Sequence, residues 1–89
     1  MGPDDEDTVR RKRIRYRAWH RGMKEMDLVL GPFADRRLGE LSEDQLDVFE
    51  AIIAYPDITL YRWMTGAEPV PARYDSALLR EILNSAAKP

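Results

Sequence analysis

The chain has 89 residues, of which 44% are hydrophobic and 34% are charged, and its formal net charge is −2. This length suits one small domain around a single modest core and is too short for two. Because the chain has no cysteine, the sequence excludes both a disulfide framework and a zinc site with thiolate ligands.

The charged residues are distributed unevenly. Residues 4–7 are four consecutive acids, the stretch from Arg10 to Lys24 has eight basic residues and no acid, and the stretch from Glu40 to Asp57 has six acids and no base. We therefore expect a basic end and an acidic end. The apolar runs are too short to span a bilayer, and the acidic start MGPDDEDTV is unlike a signal or transit peptide. These features predict a soluble protein of the bacterial cytoplasm or an equivalent interior.

The N-terminal residues 1–7 are expected to form a disordered acidic tail, followed by a single helical domain over residues 8–89. Asp7 or Thr8 can cap a first helix that runs to about Trp19. Apolar residues alternate with arginines in this segment, a period that also fits a short strand. The helix propensity of arginine and the lack of a partner hairpin favour the helix.

A second helix is predicted to begin at Arg21 or Gly22, which places Gly22 at the junction of two helices. Its apolar stripe consists of Met23, Met26, Val29, Leu30 and Phe33. The Gly31-Pro32 pair interrupts this stripe. Proline has no amide hydrogen and pushes on the carbonyl four residues earlier, so we expect a kink or a break there.

The stretch LSEDQLDVFEAIIAY predicts a third helix, because Ser42 and Gln45 fit a capping box. Its buried face is expected to consist of Leu46, Phe49, Ile52 and Ile53. Asp57 can cap a short fourth helix, ITLYRWM, which ends at Gly66.

The two prolines of AEPVPARY indicate an extended linker before the last helix. Asp75 or Ser76 is expected to begin that helix, with Leu78, Leu79, Ile82 and Leu83 pointing inward. The predicted fold class is all-α, a compact bundle of about five short helices.

Few residues could carry catalysis. His20 is the only histidine, so a transition-metal site is not expected, and the better interpretation is a structural or partner-contacting role. Glu25 and Asp27 are two apart and point to different sides of a helix, so they cannot act as a close carboxylate pair. The glycines form no phosphate-binding loop. We therefore expect no enzyme, no catalytic residue and no metal site in this chain.

Two other interpretations follow from the charges. The run RRKRIRYRAWHR suits a nucleic-acid backbone, but the acidic remainder and the pI of about 5.4 count against this partner. Arg21 and Glu25 are four apart and could form an ion pair within a helix, with Gly22 a plain turn. By themselves, the residues favour this ion pair and a generic helical interaction or regulatory module.

The stretch RGMKEMDLVLGPF resembles the signature of the SdhE-type FAD assembly factors, also called succinate dehydrogenase assembly factor two. The Arg-Gly-x-x-Glu motif of that family corresponds here to Arg21, Gly22 and Glu25, followed by Asp27 and by Pro32-Phe33. Downstream, DITLYRWMTG is similar to the family block Asp-x-Asp-Leu-aromatic-x-Trp, with Thr59 in place of the second acid. The resemblance covers roughly residues 14–66.

This resemblance implies a five-helix chaperone that binds the flavoprotein subunit of succinate dehydrogenase, or of the related fumarate reductase, and promotes covalent attachment of FAD. It implies that FAD belongs to this client protein and is not bound stably by the chain, which is expected to be a monomer when free. Gly22 would leave bare backbone for the client to approach, and the basic first helix would steer toward an acidic client patch. The expected partner-binding residues are Arg21, Gly22, Glu25, Asp27, Arg17 and His20.

Overall fold

The computed structural model describes residues 5–87, which form five α-helices and no strand. The helices are α1 (Glu6–Trp19), α2 (Lys24–Arg37), α3 (Glu43–Ile53), α4 (Asp57–Thr65) and α5 (Ala77–Ala87), with short 3-10 turns at Leu38–Glu40 and Ala72–Tyr74. The predicted all-α class with about five short helices is confirmed. None of the helices in this part of the chain is long and apolar enough to cross a membrane.

One hydrophobic core holds the helices together. Helix α1 packs on α2 and α3, and α5 lies against α2, α3 and α4. The largest fully buried side chains come from all five helices and are Phe33, Phe49, Ile14, Met26, Leu30, Leu46, Leu60, Leu79 and Ile82. Removal of this apolar surface from water is the main term that favours the folded chain.

Helix α1 begins earlier than the sequence predicts. The carboxylate of Asp5 accepts a hydrogen bond from the backbone N–H of Asp7 at 2.8 Å, so Asp5 is the N-cap and the helix begins at Glu6. Asp7 and Thr8, the expected caps, lie inside the helix. Residues 5–7 of the predicted tail therefore form the cap and the first turn of α1, and residues 1–4 lie outside the described residues. The predicted end at Trp19 is confirmed.

We expected a kink or a break at Gly31-Pro32; helix α2 runs through both residues, so there is no break. Leu28, whose carbonyl loses its usual amide partner, is 59% exposed. The lost hydrogen bond therefore falls on the solvent side of the helix, where water can replace the amide donor. Gly31 faces the other way: a Cβ atom added there would lie 2.5 Å from Cε2 of Trp19. The glycine thus lets the Trp19 ring pack directly on the backbone of α2.

The predicted capping box of α3 is present. Ser42 Oγ accepts from the N–H of Gln45 at 3.2 Å, and the Gln45 side chain accepts from the N–H of Ser42 at 2.9 Å. The four side chains predicted for the inner face of this helix are all buried. Gly66 ends α4 with a φ of 78°, a left-handed conformation that favours glycine.

The segment before α5 is only partly extended. Its last residues form a 3-10 turn, which places the Tyr74 ring 5.8 Å from Trp63 and 5.2 Å from Tyr55, measured between ring centroids. Ser76 accepts from the N–H of Leu79 at 3.1 Å and so begins α5, as predicted. Leu78, Leu79 and Ile82 are buried, and Leu83 is half-buried against the core.

Candidate partner-binding site

Two chain reversals lie side by side at one end of the bundle. The first, residues 20–23, joins α1 to α2, and the second, residues 54–56, joins α3 to α4. Together they line a surface depression of about 480 Å³. We call this region the Gly22 corner; it comprises Tyr16, Arg17, His20, Arg21 and Gly22 with residues 53–57.

Arg21 joins the two reversals. Its Nε donates to Oδ1 of Asp57 at 2.6 Å, its Nη2 donates to the carbonyl of Tyr55 at 2.9 Å, and its Nη1 donates to the carbonyl of Ile53. These carbonyls lie at the C-terminal end of α3, where backbone acceptors lack partners in the helix and favour a cation. Only 10% of the Arg21 side chain is exposed. Its guanidinium therefore holds the corner together from inside.

The amides on both sides of Gly22 are also fixed by carboxylates. The backbone N–H of Arg21 donates to Oδ1 of Asp27 at 2.5 Å, and the N–H of Met23 donates to Oδ2 of Asp57 at 3.0 Å. Asp57 thus binds Arg21 and the N–H of Met23, the N-cap residue of α2, rather than capping α4, whose N-cap position is Pro56. The prediction that Asp57 caps α4 is wrong, because one carboxylate oxygen of Asp57 pairs with Arg21 and the other accepts from the N–H of Met23.

The alternative of an ion pair between Arg21 and Glu25 within one helix is also wrong. Helix α2 begins only at Lys24, with Met23 at its N-cap position, so Arg21 precedes the helix and pairs with Asp57. Glu25 is exposed in the first turn of α2, and it forms no ion pair with any residue in the range 5–87. Its carboxylate is therefore free to accept a hydrogen bond from another molecule.

Gly22 is exposed at the rim of the corner, and its φ lies outside the left-handed region. A Cβ atom added there would lie 3.6 Å from Oδ2 of Asp57, an ordinary van der Waals distance. The fold of this chain thus gives no steric reason for a glycine at this position. Gly31 is different, because the Trp19 ring occupies the space that a side chain would need.

The other predicted residues surround Gly22 on two sides. Arg17 and His20 are exposed at the end of α1 and line the depression, whereas Glu25 and Asp27 lie on α2 outside it. The His20 ring stacks on Tyr16 with centroids 3.9 Å apart, and Nδ1 is 2.8 Å from the carbonyl oxygen of Tyr16. Tyr16 is 63% exposed and was not among the predicted site residues. The only sequence signal for its exposure is its position between Arg15 and Arg17.

The clear pKa shifts lie away from the corner and arise from surface ion pairs. Hydrogen bonds to Asp47 and Glu50 raise the pKa of Arg10, and hydrogen bonds to Glu81 and Glu40 raise the pKa of Arg37. Among residues 5–87, no group of three or more histidine or carboxylate side chains could hold a metal ion. What the corner offers is a fixed backbone, an exposed glycine and hydrogen-bonding groups around it, an arrangement suited to recognition.

A family match and several similar proteins all concern the assembly of succinate dehydrogenase or its FAD. The family described as "Flavinator of succinate dehydrogenase" matches residues 12–86. A bacterial relative from Acetobacter pasteurianus, "FAD assembly factor SdhE", is 31% identical over 80 residues, which are 90% of this chain and 73% of the relative.

Mitochondrial proteins are also similar. "Succinate dehydrogenase assembly factor 2, mitochondrial" is 32% identical over 88 residues in Drosophila grimshawi and 33% identical over 72 residues in Dictyostelium discoideum. These matches cover 97% and 81% of this chain, but only 59% and 51% of the mitochondrial proteins. The chain thus spans little more than half the length of these relatives.

Proposed function

Because this chain belongs to the family of flavinators of succinate dehydrogenase, we propose that it binds the flavoprotein subunit of that enzyme and promotes covalent attachment of FAD to it. The family is one of assembly factors rather than catalytic enzymes. In this proposal the reacting groups and the FAD belong to the client flavoprotein. The chain contributes a surface that holds the client in a form competent for the reaction.

We propose that the client docks on the Gly22 corner. The observation that carries this assignment is the contrast between two glycines. Gly31 is required by the chain's own packing, whereas Gly22 is exposed and has room for a Cβ atom. A close approach of another molecule's backbone is a reason for a missing side chain that the isolated fold does not supply.

The residues around Gly22 have two different roles in this proposal. Glu25, Arg17 and His20 are exposed and contact the client, with Glu25 accepting a hydrogen bond from it. Arg21 and Asp27 instead position the loop, because the Arg21 guanidinium and the Asp27 carboxylate are already hydrogen-bonded within the chain. The contact residues therefore approach the client on a backbone that is already rigid, which lowers the entropy cost of docking.

We further propose that the free chain is a monomer in the bacterial cytoplasm and that it also serves the related fumarate reductase flavoprotein. The bacterial setting is supported by the Acetobacter relative, of which the chain covers 73%. The second client is supported by the resemblance of RGMKEMDLVLGPF to the SdhE-type factors, which implies the related fumarate reductase flavoprotein as a partner.

The experiment is co-expression with the succinate dehydrogenase flavoprotein of the same cell, in a host that lacks its own assembly factor. Covalent flavin is scored by fluorescence of the denatured flavoprotein in a gel. We compare wild type with Gly22→Arg and with Ala67→Arg, which adds the same charge at an exposed position after α4. Thermal unfolding of each variant checks that it is folded.

We expect wild type and Ala67→Arg to raise covalent flavin, and Gly22→Arg to lose most of this gain while it remains folded. Equal fluorescence with and without wild-type protein would overturn the assembly role. Equal fluorescence with Gly22→Arg and Ala67→Arg would retain that role but remove the docking site from the Gly22 corner.

A further inference from the structure

Most basic side chains of helix α1 have no ion-pair partner among the described residues. Two of its six basic residues are held by the chain: Arg10 donates to Asp47 and Glu50, and Arg11 donates to Asp7 and to the carbonyl of Leu38. The other four, Lys12, Arg13, Arg15 and Arg17, are all exposed and form no ion pair within residues 5–87. Like charges so close together repel one another, so this arrangement costs the free chain stability.

Two of these cations share a surface with two aromatic rings, of which Tyr16 is exposed and Trp19 is half-buried. Lys12, Arg15, Tyr16 and Trp19 follow helical spacing on one side of α1 and line a depression of about 280 Å³ together with His20. We call the first four residues the α1 face. Tyr16 and His20 also line the Gly22 corner, so the two depressions are continuous. A client docked at Gly22 therefore has the α1 face immediately beside it.

Among residues 5–87, one carboxylate lies next to the α1 face and reduces its positive charge. Asp35 of α2 accepts a hydrogen bond from Nε1 of Trp19 at 3.3 Å and lies in the groove next to Lys12 and Arg15. Two exposed cations thus face one carboxylate that is already used by an indole. The positive sign of the α1 face remains.

We propose that the α1 face is a second part of the docking surface and binds an acidic segment of the client flavoprotein. This inference depends on the proposed function for the identity of the client. Charge complementarity specifies the segment: carboxylates pair with Lys12 and Arg15, and an adjacent apolar group covers Tyr16 and Trp19, whose rings supply contact area at low entropy cost.

A nucleic acid is a poorer match for the same cations. The whole chain has a net charge of −2, and α3 exposes the acidic residues Glu43, Asp44 and Asp47. A long polyanion would meet this negative surface, whereas a short acidic segment confined to α1 avoids it. The continuity with the Gly22 corner also favours the client protein.

The two parts of the docking surface should have different roles in binding. Exposed charges at the rim of an interface accelerate association, and this effect is screened by salt. The α1 face should therefore set the association rate and its salt dependence. The Gly22 corner should determine whether the bound client becomes flavinylated.

The test measures association of the chain with the purified succinate dehydrogenase flavoprotein by stopped-flow at low and high ionic strength. The variant Lys12→Gln/Arg15→Gln removes two charges from the α1 face. The control Arg36→Gln/Arg73→Gln removes two exposed charges that lie outside both depressions. Both variants have the same net charge, so a general electrostatic effect changes them equally.

We expect the α1 variant to associate about 5-fold or more slowly than the control at low salt, with the difference lost at high salt. Equal rates for the two variants would overturn the inference while wild-type binding and flavinylation still support the proposed function. Failure of the wild-type chain to bind the flavoprotein would overturn both. Displacement of the bound flavoprotein by duplex DNA at physiological salt would assign the α1 face to nucleic acid instead.

A second measurement locates the contact. The chain has two tryptophans, Trp19 on the α1 face and the buried Trp63, so labelling with 5-fluorotryptophan gives two fluorine resonances, assigned with Trp19→Phe. Addition of the unlabelled flavoprotein should shift the Trp19 resonance more than that of Trp63. A shift of the Trp63 resonance alone would contradict docking on α1.

Discussion

Arg21 and Asp57 are 36 residues apart in the sequence, yet their side chains form an ion pair with 2.6 Å between Nε and Oδ1. Only 10% of the Arg21 side chain and 17% of the Asp57 side chain are exposed. The pair ties the turn between α1 and α2 to the turn between α3 and α4. Gly22 lies between the two amides that Asp27 and Asp57 hold, so its position depends on this ion pair.

We predict that Arg21→Ala and Asp57→Ala each lower the free energy of unfolding by about 2 to 4 kcal/mol, because each leaves a largely buried charge without its partner. The double variant should cost less than the sum of the two. Urea unfolding measures all three. The exposed pair of Arg62 and Glu68, each 51% exposed, is the control and should contribute at most about 1 kcal/mol.

Variants of the same ion pair test whether Arg21 positions the Gly22 loop or contacts the client directly. If Arg21 acts by holding the Gly22 loop, Asp57→Ala should reduce covalent flavin as strongly as Arg21→Ala, measured at a temperature where both variants are folded. If Arg21 contacts the client directly, only Arg21→Ala should reduce it. Gel fluorescence of the co-expressed flavoprotein distinguishes these results. We expect the first, because the Arg21 side chain is largely buried and each of its three nitrogens donates a hydrogen bond within the chain.

Gly31 provides a prediction about packing. A Cβ atom there would lie 2.5 Å from Cε2 of Trp19, so Gly31→Ala must displace the Trp19 ring and should cost about 1 to 3 kcal/mol despite the better helix propensity of alanine. Gly39→Ala is the matched control, because no atom lies within 4 Å of a Cβ added at that position. Equal stability of the two variants in thermal unfolding would contradict the close packing of Trp19 on α2.

The sequence predicted those features of the fold that depend on neighbouring residues. The capping box of Ser42 and Gln45 and the terminal Gly66 involve groups at most a few positions apart, so their spacing is sufficient to identify them. The Arg21–Asp57 pair is different, because nothing local to either residue indicates the other. Asp57 follows a proline before a helical segment, which made a local cap the natural interpretation.

For the candidate site, the resemblance predicts a set of residues, and the structure shows how they are arranged. Arg21 and Glu25 have ideal spacing for a helical ion pair, but α2 begins too late to include Arg21. The exposure of Tyr16 could not be predicted either, because aromatic residues among arginines occur both in cores and on surfaces. Only the packing of α1 decides which side of that helix faces solvent.

Asp75 and Arg80 give a prediction about proton binding. A hydrogen bond from the Arg80 guanidinium to the Asp75 carboxylate lowers the pKa of Asp75. Because the folded pKa lies below that of the unfolded chain, this pair stabilises the fold above the ordinary aspartate pKa, and the effect is lost as the pH falls through the lowered value. Arg80→Gln should raise the pKa of Asp75 in a carbon NMR titration. An unchanged pKa would show that the pair does not persist in solution.

Glu25 should contribute to client binding and little to stability, because it is exposed and has no ion-pair partner among the described residues. Glu25→Ala should change the free energy of unfolding by less than about 1 kcal/mol, chiefly through the loss of a negative charge at the N-terminus of α2. Glu43→Ala is the matched control, since Glu43 is an exposed acid in the first turn of α3 and its removal takes the same interaction away from its helix.

If Glu25 accepts a hydrogen bond from the client, Glu25→Ala should weaken binding to the flavoprotein and Glu43→Ala should not. The expected loss is about 10-fold in affinity for a contact worth 1.4 kcal/mol, as measured by calorimetry. Equal affinities for the two variants would remove Glu25 from the interface and leave the exposed backbone at Gly22 as the main feature recognised there.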